Sequence, residues 1–245
     1  DPSARVSRTG AAAGVSMRRV SMVLLCDPYG DSYGFAGRSR TAAVVGRCDD
    51  GGMTIAADYR ARIVASSTDR VAWIRARSRG VTATDAAKLA GDAAVEQVVR
   101  GKVLGTGFTG NAFTDHGRAR EPEIAKWVAR EHGIVSSQDL FHAAGEPRHL
   151  ATPDGVAELS GTLVLSEIKT TRKAWPSIPR AYLRQVWWQQ YVLGAERTLV
   201  IWEQHVDFVP ISSTPECRWV ERDEDQIAML VDRADRVLDR LRDFA

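Results

Sequence analysis

Residues 151–171 read ATPDGVAELSGTLVLSEIKTT, and the way this stretch folds decides how the rest of the chain is read. In a β-strand, residues two apart project from the same face, so Glu167 and Lys169 point one way and Ile168 the other. The residues just before them, 162–165, are apolar or β-branched, as expected of a buried strand. A Glu and a Lys at the end of a buried strand are costly unless they are paired or bind something. Asp154–Gly155 and Ser160–Gly161 are turn signals, which predict strands over 149–153 and 162–169. If those two strands pair, Asp154 lies beside Glu167.

Two carboxylates and a backbone carbonyl make an all-oxygen donor set, suited to Mg²⁺ or Mn²⁺ rather than zinc. A lysine beside such an ion can orient or deprotonate water, and the ion offsets charge on a phosphoryl oxygen. That is equipment for phosphodiester hydrolysis. The same residues also fit a plain Glu–Lys ion pair beside a hairpin turn.

Outward from this segment, the pattern alternates between helical and extended periods. Thr82 and Asp85 fit a capping box, predicting a helix from there to about residue 99. A second helix is expected over 115–132, stopped by Gly133 and interrupted by Pro122. Strands are expected over 138–143, 198–203 and 206–210, with a helix over 178–193 ending at Gly194. The final helix, 223–244, places Ile227, Leu230, Val231, Ala234, Leu238 and Leu241 on one stripe. This order predicts an α/β (α+β) fold with a central mixed β-sheet flanked by helices. Residues 1–66 differ: they are rich in Gly, Ala, Ser and Arg, with weak strand signals at 20–25, 41–45 and 54–57. They read as a poorly defined N-terminal extension, with the start of the domain at Met17 or Met22 as one option. Residues 67–245 form the main domain.

The 245 residues are 44% hydrophobic and 26% charged, which excludes a wholly disordered chain and a small disulfide scaffold. No apolar run is long enough for a membrane span. Three distant cysteines, Cys26, Cys48 and Cys217, form no metal-ligand cluster, and a reduced, cytoplasmic setting is expected. Net charge is only +2, but Arg70, Arg75, Arg77 and Arg79 stand against the single acid Asp69 between residues 67 and 79. Such a patch fits phosphate binding and equally a solvated helix face. Trp73, Trp187 and Trp188 could stack bases but read first as core, and Glu123 reads as solvated.

Four segments together resemble the PD-(D/E)XK nuclease superfamily, and within it the lambda-exonuclease-like, YqaJ-type viral recombinase family. They are WIRARSRGVTATDA (73–86), GRAREPEIA (117–125), Pro153–Asp154 with Glu167–Ile168–Lys169, and YLRQVWWQQYV (182–192). They occur in the family's order over about residues 70–210. The resemblance implies a restriction-endonuclease-like core and a Mg²⁺-dependent exonuclease that degrades one strand of linear double-stranded DNA from its 5′ end. It further implies that Asp154, Glu167 and the Ile168 carbonyl hold two Mg²⁺ ions, with Mn²⁺ able to substitute. Glu121 would complete the acidic cluster directly or through water, Gln185 would orient near it, and Lys169 would position the nucleophilic water. Arg77 and Thr84 would grip the 5′-terminal phosphate, with Arg75 adding a contact to the DNA. Implied partners are double-stranded DNA ends, a single-strand annealing protein and further copies of the chain in a ring. Alternatives on the same core are a RecB-like or Cas4-like nuclease, an endonuclease, or a catalytically silent DNA-end-binding module.

Overall fold

The computed structural model describes residues 59–105 and 111–244. Cys26, Cys48, Met17, Met22 and the three weak strand signals before residue 58 lie outside the described residues. The described residues belong to one compact unit. Residues 59–66, read from sequence as extension, belong to it: Tyr59 is buried in the core and β1 (Ile63–Ser66) pairs with a later strand.

The sheet that carries the site has the order β10-β8-β7-β6-β3. Its centre is the hairpin of β6 (Gly155–Leu159) and β7 (Thr162–Thr171). Leu159 pairs with Thr162, leaving a two-residue loop in which Ser160 and Gly161 both have positive φ, 53° and 78°. That is the loop geometry that matches strand twist, and it sets the register. β7 then runs parallel to β8 (Arg197–Val206) through the crossover helix α5 (Arg180–Leu193). β10 (Glu216–Glu221) pairs with β8, and β3 (Val135–Ser136) pairs with β6. The short β9 (Val209–Pro210) folds back on β8.

Two differences from the sequence reading concern this region. β7 pairs with residues 155–159, not with 149–153. β5 (His149–Ala151) instead lies in a second sheet, of order β1-β4-β5-β2, with β4 (Asp139–His142) and β2 (Val81–Thr82). The expected single central sheet is therefore two mixed sheets. Helices cover them, so the fold class stands.

Alternation along β7 and β8 separates the core into two layers. Val164, Ile168, Leu199 and Ile201 pack with Ile124 and Val128 of α4 (Ala112–His132). Leu163, Leu165, Val200 and Trp202 face the other way, toward α5 and the amphipathic α6 (Glu224–Arg242). Trp187 and Trp188 of α5 are core residues, as expected.

The helix expected over 82–99 is broken. The capping box at Thr82 and Asp85 is present, but it opens only α2 (Ala83–Ala86), and α3 (Asp92–Val103) starts anew after the extended Gly91. Between them Leu89 is driven fully into the core. The carbonyls released by the break are taken by Arg184, which donates to Ala87 O at 2.9 Å, and Arg233, which donates to Leu89 O at 2.8 Å. Burial of one leucine and two long-range donors outweighs local helix propensity here. The helix α1 (Arg70–Arg79), capped by Asp69, has no fully buried residue; Trp73, expected as core, and Arg77 are half-buried.

Candidate active site

The site forms where β6 stops and β7 continues. Ladder pairing between the two strands begins at Gly155 and Ser166. A Cβ on Gly155 would stand 2.4 Å from Ser166 Oγ and 3.0 Å from Val135 O. Glycine therefore lets β6 press between β3 and β7, and Asp154 is drawn against β7. Its amide donates to Ser166 O at 3.1 Å, and the Ile168 amide donates to its Oδ2 at 2.6 Å. The Asp154 side chain thus replaces the missing strand. In an extended strand the N–H and C=O of one residue leave by the same edge. The Ile168 carbonyl accordingly opens toward Asp154.

On the α5 face, Glu167 is only 1% exposed yet carries three donors. Lys169 Nζ and Gln185 Nε2 donate to Oε1, and Gln189 Nε2 donates to Oε2 at 2.6 Å. Gln189 was not singled out from sequence. Its position four residues after Gln185, on the same helix face, was the available signal. The Lys169 ammonium also lies 5.2 Å from the Tyr182 ring centre.

Glu121 reaches the cluster from α4. Desolvation and then repulsion from Glu167 raise its pKa, with Lys169 and Arg118 opposing. Burial likewise raises the Asp154 carboxyl well above its ordinary range. Glu167 and Glu121 push it further, while Lys169 and the Ile168 amide work against them. Burial alone would lower Lys169, but Glu167 and Asp154 outweigh it and hold the amine more basic than a free lysine. Four of the expected residues are thus mutually coupled, and Gln185 touches one of them. The cluster is short of positive charge.

Among the described residues, no three His, Cys, Asp or Glu side chains converge tightly enough to hold an ion as they stand. Both Glu167 oxygens are engaged by Lys169 and the glutamines. The donor chemistry nonetheless fits a hard divalent cation: Asp154, the Ile168 carbonyl and Glu121 all offer oxygen ligands.

The residues expected at the DNA end lie on α1 and α2. Arg77 covers the Trp73 ring at 4.2 Å, and burial lowers its pKa while Asp85 opposes. Asp85 does not confront Arg77 alone: Lys102 Nζ pairs with it at 2.8 Å. Thr84 is exposed. The start of α2 is not an open anion site. The helix has four residues, and the Thr82 amide and hydroxyl are both taken by Asp85 Oδ2. Arg75 departs from Arg77: it turns to a separate cleft of about 340 Å³ lined by Arg79, Gly80 and Arg148. Glu123 pairs with Lys126 at the surface, as expected. Cys217 Sγ lies 4.0 Å from His132 Nε2. No described helix is long and apolar enough to cross a membrane.

No curated protein matches the chain. Among solved structures, the alkaline exonuclease LHK-Exo of Laribacter hongkongensis superposes with a TM-score of 0.56 at 21% identity, covering 69% of this chain and 91% of that one. The same enzyme in complex with dAMP gives 0.55 at 22% identity, with the same coverage. A phage-related exonuclease from Haemophilus somnus 129PT gives 0.53 at 12% identity, covering 66% and 93%. These likenesses show that the chain shares the fold of these exonucleases. The profile of the YqaJ-like viral recombinase domain matches residues 72–196, a span that includes all six residues gathered around β7. The chain belongs to the YqaJ-like viral recombinase family.

Proposed function

We propose that this protein is a divalent-metal-dependent exonuclease that hydrolyses phosphodiester bonds from the 5′ end of linear double-stranded DNA, in phage-type recombination. The observation that carries the reading is the assembly of Asp154, Glu167, Glu121 and Lys169 at the unpaired edge of β7. A structural ion pair would need only Glu167 and Lys169. It would not need a second and third carboxylate crowded beside them at a cost to their ionisation.

In this reading Asp154, Glu167, the Ile168 carbonyl and Glu121 would hold two Mg²⁺ ions. When bound, the ion neutralises charge on the scissile phosphate and acidifies water. The chain's own groups do the rest. Lys169, held more basic than a free lysine by Glu167 and Asp154, would donate to and position the water. Gln185 and Gln189 fix the Glu167 carboxylate in one orientation. Arg77, 4.2 Å over the Trp73 ring and with Asp85 paired to Lys102, would supply a charge for the terminal phosphate, and the exposed Thr84 hydroxyl a hydrogen bond. A homo-oligomeric ring and a single-strand annealing partner follow from the family alone.

The test is a linear duplex labelled separately at each terminus, incubated with Mg²⁺ or with EDTA. Mg²⁺-dependent release from the 5′ label first, faster with a 5′ phosphate, is expected. Cleavage of circular DNA, or binding without cleavage, would overturn the exonuclease reading in favour of an endonuclease or a silent module.

A further inference from the structure

The helix α4 is pinned to the sheet by two parallel rows of contacts. On β7, Gly117 lies against Thr170: a Cβ there would stand 3.3 Å from Thr170 Oγ1. One turn on in that row is Glu121, the carboxylate of the site. In the neighbouring row, the His116 ring sits 4.4 Å from the ring of His205, and Arg120 meets Glu203. His205 and Glu203 are two apart on β8 and share its α4 face. His116 and Arg120 are four apart and share one helix face. The Arg120–Glu203 contact is a two-point fork: Nε donates to Oε1 at 2.8 Å and Nη2 to Oε2 at 2.7 Å. The Glu203 side chain is 6% exposed, and Glu203 pairs in register with Thr170, next to Lys169.

We propose that Arg120 and Glu203 are positioning residues for Glu121: their fork fixes the axial and rotational setting of α4 over β7, and so the distance of the Glu121 carboxylate from Asp154. The inference rests on the metal-site reading of Glu121. A planar fork fixes orientation as well as distance, which a single point charge does not. An arginine stands immediately before the acid it positions, so a small slide of α4 that breaks the fork also moves Glu121. Among the described residues no other hydrogen-bonded ion pair joins α4 to the sheet.

The test uses the full chain and two variants. Arg120→Met with Glu203→Leu replaces the pair by apolar groups of similar volume, which keeps packing without a buried charge. Arg120→Lys keeps the charge and loses the fork. Three quantities are read: the melting temperature, Mn²⁺ affinity by calorimetry without DNA, and kcat, KM and the Mg²⁺ midpoint for nucleotide release. The expected result is a folded double variant whose Mn²⁺ affinity and kcat fall roughly 10–100-fold, with KM for DNA unchanged. Adding Arg120→Lys to Glu121→Gln should cost nothing beyond Glu121→Gln alone, because both act through one carboxylate. Wild-type Mn²⁺ affinity in the folded double variant, or a multiplicative loss in the Arg120→Lys, Glu121→Gln combination, would overturn the proposal. If the double variant fails to fold, Arg120→Lys and its combination decide. A wild-type chain that binds Mn²⁺ but cuts no DNA would remove the nuclease reading, and the affinity comparison would still decide the role of the pair.

Discussion

Asp154 sits in a place that disfavours its charge. Its carboxyl is raised by burial and by two neighbouring carboxylates, and the Ile168 amide and Lys169 offset only part of this. A raised acid contributes stability below its unfolded value, and that contribution is lost as pH rises through the folded value. At neutral pH and without metal, Asp154 therefore works against the fold. Asp154→Asn keeps an oxygen for the Ile168 amide and removes the charge. In EDTA we expect it to raise the melting temperature by about 2–4 °C, on the order of 1 kcal/mol, while abolishing nucleotide release. Added Mn²⁺ should raise the melting temperature of the wild type and not of the variant. A variant that melts lower than the wild type in EDTA would contradict the charge argument. At this scale the sequence was most legible. The two-residue spacing of Glu167 and Lys169 and the turn at Asp154 announced the cluster. Gln189 escaped because glutamine in a Trp-rich helix reads as ordinary core-edge polarity.

The hairpin shows how far element-level reading reaches. Its turns at Asp154–Gly155 and Ser160–Gly161 were visible in the sequence, but β6 between them was not. A five-residue strand reading GVAEL carries little β propensity, and it forms because β7 and β3 flank it on both edges. The expected pairing of 149–153 with β7 was wrong for a related reason. Pro153 cannot donate to a ladder, so the chain leaves the second sheet before it enters the first. The close contact at Gly155 yields a prediction. Gly155→Ala should force β6 off Ser166 and Val135 O, costing about 1–3 kcal/mol by denaturant unfolding. It should also lower kcat, because Asp154 moves with the strand. Unchanged stability would mean that the strands can part without loss.

Across the whole molecule, what the sequence did not show are contacts between distant segments. The break between α2 and α3 is set by the burial of Leu89 and by Arg184 and Arg233, two donors outside any local window. The Arg120–Glu203 fork joins residues 83 apart. By contrast, the α6 stripe was legible from its period, and it packs as expected with Val237 added. Leu230, fully buried there, should cost about 2–5 kcal/mol when changed to Ala. His149 ties three elements together: on β5, 1% exposed, it meets Tyr191 of α5 at 3.0 Å and lies 3.2 Å from Asp235 of α6. Burial lowers its pKa below the ordinary 6.5, with Asp235 and Glu146 opposing. A histidine with a lowered folded value favours the unfolded state once protonated. Stability should hold above about pH 6.5 and decline as pH falls through the folded value. The slope should flatten in His149→Phe, as measured by urea unfolding between neutral and mildly acid pH.

The central claim is that the carboxylates and the ammonium gathered at the free edge of β7 hydrolyse DNA. The most direct measurement is single-turnover nucleotide release from linear duplex DNA in Mg²⁺ by the wild type, Asp154→Asn, Glu167→Gln and Lys169→Ala. Each variant should remain folded and lose at least about 100-fold in rate, since every one removes a group aimed at the reacting phosphate or its water. A folded variant among the three that digests DNA at close to the wild-type rate would contradict it.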